Sequence, residues 1–294
     1  VMHAFDNTLN LFPMFLGCIA GVKVRISESI SKGDKNEKKT LIKYILRAFS
    51  HWFTNCYMAN SIDCGIWQFG KKTYDRGKVN IFKTVIDANA NSFNAKLRED
   101  TRKEFGWENK IVYGFIGRYV SQKNPFFLID IFNEIAKKQE NAILVMIGFG
   151  ELADEMHDRI ERYGVADRVV DLGRRDDIKQ FYNAFDAFLL PSLYEGMPVV
   201  GIEAQCAGLP IFFSKNITEE TTVSELAYYI GLEENPNIWA NKIIKGVNGH
   251  IHKRRSYVSE VIKNGFDSSN EALRLQKFYL TKINQVDDMT GKGK

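Results

Sequence analysis

Residues 111–150 read IVYGFIGRYVSQKNPFFLIDIFNEIAKKQENAILVMIGFG. Ile111–Ile116 is short, apolar, β-branched and aromatic, which suits a strand buried in a sheet. Leu128, Ile131, Phe132 and Ile135 follow at i, i+3, i+4, i+7, the period of a helix with one buried face. Ala142–Ile147 is a second apolar run of strand length. Strand, helix and strand in succession argue for a parallel, doubly wound sheet.

The alternation continues downstream. A helix over about 152–163 precedes a strand at Arg168–Leu172. A short helix at Ile178–Ala184 leads to the strand Ala187–Leu190, and a helix over Val199–Ala207 precedes Pro210–Phe213. Upstream, a helix over Leu9–Ala20 precedes the strand Lys23–Ser27. Then come a polar loop (Ser31–Lys39), a helix over Lys39–Thr54 and the strand Cys56–Ala59. This first part reads as the back half of another α/β domain, with too few strands for a complete one. The expected organisation is a partial N-terminal acceptor-side domain (1–88), a donor-binding domain (89–265), and a C-terminal helix crossing back toward the first domain (266–294). Asp87–Ser92 is the linker, Phe266–Asn284 the tail helix, and Asp287–Lys294 a frayed polar end.

The 294 residues are 45% hydrophobic and 26% charged, the profile of a globular chain with a full core. The longest apolar run, Leu11–Val22, is about half a membrane span and is broken by Pro13 and two glycines. The chain starts at Val1 without a signal-peptide pattern, which reads as a fragment. Cys18, Cys56, Cys64 and Cys206 form no CxxC pair and read as reduced thiols. With the five scattered histidines they offer no metal-ligand spacing. Charge is uneven: residues 1–110 hold 18 Lys and Arg against 11 Asp and Glu, the remainder 22 against 25. The helix over Lys39–Thr54 sets Lys39, Lys43 and Arg47 on one face and Ile42, Ile45, Phe49 and Trp52 on another. Peripheral contact with an anionic membrane surface is one reading of it; a core-packing helix with a solvated face is the commoner one. No feature points to nucleic acid.

Three segments carry chemistry, each following a strand, where ligands bind in open α/β sheets. In the first, Gly117 ends a strand, and Arg118 and Lys123 place two cations on one loop, which suits a diphosphate. In the second, Gly148 and Gly150 allow close approach before a helix N-terminus. A GxG without a third glycine or a distal ribose-binding acid argues against a dehydrogenase. In the third, PSLYEGMPVVGIEA (191–204), Glu195 leaves a strand in a loop, and Gly196, Met197 and Pro198 lead into a helix. Glu203 follows eight positions after Glu195, inside an apolar run. The amides at the helix start suit a phosphate, and carboxylates suit sugar and ribose hydroxyls.

E-x7-E on a strand–loop–helix, with GR…QKN upstream, resembles the retaining glycosyltransferases of the GT-B fold, family 4. Asn216–Glu220 and Ile238–Ala240 are most similar to the branch that builds capsular and extracellular polysaccharides. The resemblance implies an α/β protein with two Rossmann-like domains facing a cleft. It implies a transferase that moves a sugar from a nucleotide-diphosphate donor, UDP-sugar being favoured, to a glycan or lipid-linked glycan acceptor. The location implied is cytoplasmic or peripheral on the inner face of the membrane.

By resemblance, Glu203 binds ribose, Glu195 holds the donor sugar, and Arg118 and Lys123 bind the diphosphate, helped by the amides of Gly196 and Met197. Gly117, Gly148 and Gly150 complete the nucleotide site. The chain has no Asp-x-Asp, so the leaving-group charge is expected to fall to cations and a helix dipole, with no metal and no separate cofactor. Relatives carry a histidine where this strand reads RISES (25–29); Glu28 is the nearest polar substitute. The rivals are a non-catalytic nucleotide-sugar-binding module and a nucleotide-sugar epimerase.

Overall fold

The structure, a computed structural model, describes residues 1–31, 40–250 and 254–289. The elements, in chain order, are β1 (Met2–Ala4), α1 (Leu11–Ile19), β2 (Arg25–Ser29), α2 (Thr40–Phe49), β3 (Cys56–Ala59), α3 (Ile62–Phe69), α4 (Lys71–Asp75) and β4 (Val79–Ile81). There follow α5 (Ala95–Glu104), β5 (Ile111–Ile116), α6 (Pro125–Ala136), β6 (Ala142–Ile147), α7 (Ala153–Tyr163), β7 (Val169–Asp171), α8 (Ile178–Ala184) and β8 (Ala187–Leu190). The last are α9 (Val199–Cys206), β9 (Ile211–Ser214), β10 (Ala227–Ile230), α10 (Pro236–His250), α11 (Val258–Lys263) and α12 (Ser268–Met289). They form two compact units: residues 1–85 with 265–294, and residues 86–264. Both are parallel-sheet Rossmann-like folds.

In the first unit the sheet order is β1-β2-β3-β4, every pair parallel. Ile26 pairs with Cys56, so Val24, Ile26, Cys56 and Met58 share one face with Phe82. Leu275, Phe278, Tyr279 and Val286 of α12 cover it. α12 runs to Met289, so Asp287–Met289 continue the helix where a frayed end is expected. The strand expected at Lys23–Ser27 lies two residues later. The exposed polar sequence around β4 hid that strand, and three residues were too few to signal β1. α2 ends at Phe49, short of the expected Thr54. Its Leu41, Ile42 and Ile45 stand exposed, as does Trp52 beyond it, while Arg47 lies over the rings of Tyr44 and Trp67. Lys39, expected on the basic face, lies outside the described residues, as does the polar loop from Lys32. Among the described residues no helix is long and apolar enough to cross a membrane.

In the second unit the order is β10-β9-β8-β5-β6-β7, all parallel. β5 starts in the middle; β6 and β7 extend to one side, β8 to β10 to the other. The direction of winding therefore reverses between β5 and β8. At such a switch point the helices leave on opposite faces and a crevice opens beyond the strand carboxyl ends. The loops there are 117–124 and 191–198, which carry the first and third segments. β6 and β8 are buried along their whole length, as expected of central parallel strands.

Three arginines, buried or half-buried, terminate α8. Arg98, Arg102 and Arg254 donate to the carbonyls of Tyr182, Asn183, Ala184 and Phe185. Asp186 compensates them, bonding Arg98, Arg102 (3.0 Å) and the Val112 amide (2.8 Å). Carbonyls left over at a helix end need donors, and here side chains supply them. Burial, with the charges of Arg98 and Arg102 adding to it and that of Asp186 opposing, pulls the Arg254 guanidinium down to about 9.

Candidate active site

The loop after β5 and the loop after β8 are fastened to each other by hydrogen bonds. Leu193 N donates to Gln122 O (2.8 Å), Gln122 Nε2 to Tyr194 O (3.1 Å), and Asn124 Nδ2 to Pro191 O (3.2 Å). Asn124 has φ 54°, a left-handed conformation that asparagine tolerates, and Pro125 at the first helical position starts α6. From the other side Ser214 Oγ bonds Ser192 O (2.5 Å) and Asn216 Nδ2 bonds Leu193 O (2.9 Å). Sequence reasoning gave Gln122, Asn124, Ser214 and Asn216 no role. Gln122 and Asn124 lie inside the QKN run, so the signal was present, but amide clamps leave no periodic trace.

Across this seam Lys123 Nζ meets Glu195 Oε1 at 2.6 Å, and Gln122 Nε2 lies 3.3 Å from Glu195 Oε2. The two charged side chains are 13% and 9% exposed, so the pair is largely shielded from solvent. Arg118 lies on the same loop, exposed, its guanidinium without a hydrogen-bond or ion-pair partner among the described residues. The two cations thus differ: one is committed, the other open to solvent.

Gly148 and Gly150 have a specific reason. A Cβ on Gly148 would lie 1.9 Å from Gly117 O, and one on Gly150 would lie 2.2 Å from Tyr119 O. The loops after β5 and β6 pack backbone to backbone, and Tyr119 N donates to Phe149 O at 2.8 Å. Close approach of protein to protein therefore already demands both glycines, whatever else they admit. Gly117 is different: its nearest neighbours to an added Cβ are side-chain atoms at 3.2 Å or more.

Gly196 is half-buried, Met197 is buried, and Pro198 precedes the first turn of α9. Glu203 sits in the second turn. Its Oε2 accepts from Tyr182 Oη at 2.8 Å. Burial raises the Glu203 carboxyl above its ordinary value, opposed by the Tyr182 bond and the charge of Lys179. Burial raises the Tyr182 phenol as well, and the Glu203 charge adds to it. Among the described residues no three His, Cys, Asp or Glu side chains are grouped as a metal site would need.

In the first unit, Glu28 is not alone at its strand end. His3 Nε2, from β1, lies 3.0 Å from Glu28 Oε2, and His3 Nδ1 bonds Tyr279 Oη at 2.7 Å. A histidine thus stands beside Glu28 on the neighbouring strand.

The family model for "Glycosyl transferases group 1" matches residues 98–264, which is most of the second unit. EpsF of Bacillus subtilis (strain 168), named as a glycosyltransferase, is 26% identical over 283 residues, covering 95% of this chain and 74% of that one. The capsular polysaccharide biosynthesis glycosyltransferase CapH of Staphylococcus aureus is 24% identical over 296 residues, covering 96% and 77%. Among solved structures, HepE of Anabaena in complex with UDP-glucose superposes with a TM-score of 0.79 at 19% identity, covering 95% of this chain and 78% of that one. The sucrose-phosphate synthase of Thermosynechococcus elongatus gives 0.76 at 15%, covering 96% and 73%. At these identities the structural likeness speaks for the fold. The matched family covers more than half of the chain and contains all three loop segments. The chain belongs to the group 1 glycosyl transferases and is a glycosyltransferase of the GT-B fold.

Proposed function

We propose that this enzyme moves a sugar from a nucleotide-diphosphate donor, UDP-sugar being the favoured class, to a glycan or lipid-linked glycan acceptor. Transfer proceeds with retention at the anomeric carbon and without a metal ion, as in family 4. The pathway is polysaccharide biosynthesis, of the capsular or extracellular kind. The reading is supported by the name of CapH and by the UDP-glucose bound to HepE. Its acceptor is delivered at a membrane surface on the cytoplasmic side, where the exposed apolar face of α2 and the basic first third would make peripheral contact.

The observation that carries the reading is the Lys123–Glu195 pair at the switch point. Opposite charges there answer to opposite parts of one ligand. A diphosphate requires cations, which Lys123 supplies as a point charge and Arg118 as a fork. Sugar hydroxyls require acceptors, which Glu195 supplies. The amides of Gly196 and Met197 and the start of α9 add the positive end of a helix dipole near the phosphate, and Glu203 accepts from the ribose hydroxyls. Negative charge that develops on the departing diphosphate is then held by groups fixed in advance.

The experiment measures UDP released from UDP-glucose with and without a polysaccharide acceptor, in EDTA, and the anomeric configuration of the product by NMR. Acceptor-dependent release with a retained configuration, undiminished by EDTA, is expected. Inversion, or activity restored only by Mg²⁺ or Mn²⁺, would overturn the corresponding part.

A further inference from the structure

Tyr182 is 1% exposed and held at both ends. Its ring packs against Phe188 with centroids 5.7 Å apart, and its carbonyl receives the Arg254 guanidinium. Arg254 also bonds Ala207 O just past α9, at 2.9 Å. One arginine therefore ties the end of α8 to the end of α9, the two helices that carry Tyr182 and Glu203. Between them the Tyr182 hydroxyl donates to Glu203 Oε2. Oε1 of Glu203 has no partner among the described residues.

We propose that Tyr182 is a positioning residue of the donor site, whose hydroxyl fixes the Glu203 carboxylate in one orientation and leaves Oε1 to accept from the ribose. The inference rests on the reading of Glu203 as the ribose ligand. A glutamate has three side-chain torsions to immobilise before it can bind well. A bond from a rigid phenol to one oxygen removes that freedom in advance, so the ribose meets a preset acceptor. The hydroxyl also stabilises the charged form, against the burial that disfavours it. Lys179, on α8, acts in the same direction. β8 and β9, packed against α9, bring no charge. α11, also packed there, carries Lys263 and Glu260, the latter paired with Arg255 at 2.7 Å.

The test is calorimetry with UDP between pH 5.5 and 8.5 on the unsubstituted enzyme, Tyr182→Phe, Glu203→Gln and the double variant, each checked for folding by thermal denaturation. Phenylalanine keeps the ring. Tyr182→Phe is expected to weaken UDP binding about tenfold at pH 7, the scale of a hydrogen bond to a charged group. Its loss of affinity toward acid should begin at a higher pH than in the unsubstituted enzyme, because Glu203 is then easier to protonate. With Glu203→Gln in place that difference should vanish, and the two losses should not add. Tyr182→Phe with the affinity and pH profile of the unsubstituted enzyme, where Glu203→Gln has lost affinity, overturns the inference and leaves the donor reading intact. An unsubstituted enzyme indifferent to UDP, or Glu203→Gln that binds it unchanged, overturns the reading and the inference together.

Discussion

Lys123 and Glu195 neutralise each other across the seam between the β5 and β8 loops, 2.6 Å apart and mostly shielded from water. Each holds a charge that the proposed donor needs, so donor entry has to redistribute the pair. Glu195→Gln keeps the shape and releases the Lys123 cation. UDP, which lacks the sugar, should then bind as well as before or several-fold tighter, since a freed ammonium meets the diphosphate. Transfer should fall about a hundredfold, the scale of one lost group aimed at the reacting centre. Calorimetry and product release measured side by side check this. Loss of both binding and transfer would place Glu195 in the architecture of the loop.

Glu203 carries a cost for its position. Burial raises its carboxyl in the folded protein, so the folded chain retains a proton over a range where the unfolded chain has lost it. Stability associated with this group is therefore full below the unfolded carboxylate range and is lost as pH rises through the folded value. Glu203→Gln removes the charge and still offers an oxygen to Tyr182. The ligand-free variant should melt a few degrees higher than the unsubstituted protein at pH 8, with the difference shrinking toward pH 4. Calorimetric melts across that range check it, and a variant less stable at pH 8 would contradict it.

Much of this was legible because the second unit repeats one pattern. Ile111–Ile116, Ala142–Ile147 and Ala187–Leu190 are apolar throughout, and buried parallel strands must be. β1, β4 and β10 escaped: Met2–Ala4 and Val79–Ile81 are only three residues long, and Ala227–Ile230 is a half-buried edge strand. At the site, two cations on one loop singled out Arg118 and Lys123, a place in the loop after a strand singled out Glu195, and an apolar run singled out Glu203. Their supports were silent. Tyr182 reads as one more aromatic in a helix, and Arg254 as a polar residue in a basic run. What makes them supports is contact across 21 and 72 residues of sequence, respectively, and no local rule records that.

Asp186 is the counter-charge for the arginines that end α8. Its side chain is 2% exposed and bonds Arg98, Arg102 and the Val112 amide. Removing one partner of a buried ion pair strands the other charges, which costs about 3–5 kcal/mol. Asp186→Ala strands two bonded arginines beside Arg254, so the second unit should be destabilised by at least that much in urea titration. Lys96→Ala breaks a pair with Asp100 on an exposed face of the neighbouring α5 and should be nearly neutral. Comparable losses for the two variants would mean that the arginines are satisfied by the carbonyls alone.

Glu28 is the nearest polar substitute for the histidine of relatives, and the commoner reading of the sequence is that it simply starts a polar loop. Its Oε2 instead lies 3.0 Å from His3 Nε2 in an ion-pair contact, and His3 Nδ1 bonds Tyr279 Oη, so polar side chains of β2, β1 and α12 meet. The side chains of His3 and Glu28 are 17% and 15% exposed, and an acceptor engaged in this way has less to offer a sugar hydroxyl. The arrangement makes Glu28 a tie within the first unit. Glu28→Gln, which keeps the side-chain shape beside the imidazole, should cost about 1 kcal/mol or less, a melting shift of a few degrees. Donor affinity should be unchanged, and transfer should stay within about a factor of two, the variation expected when no interaction specific to the transition state is lost. His3→Ala should cost more, because it deprives Glu28 and Tyr279 of a partner at once, and the pair of substitutions should be less than additive. Thermal melts and the product-release assay on the single and double variants decide it. A transfer rate that collapses in Glu28→Gln while the melting temperature holds would assign this carboxylate to the chemistry, with His3 as the group that orients it.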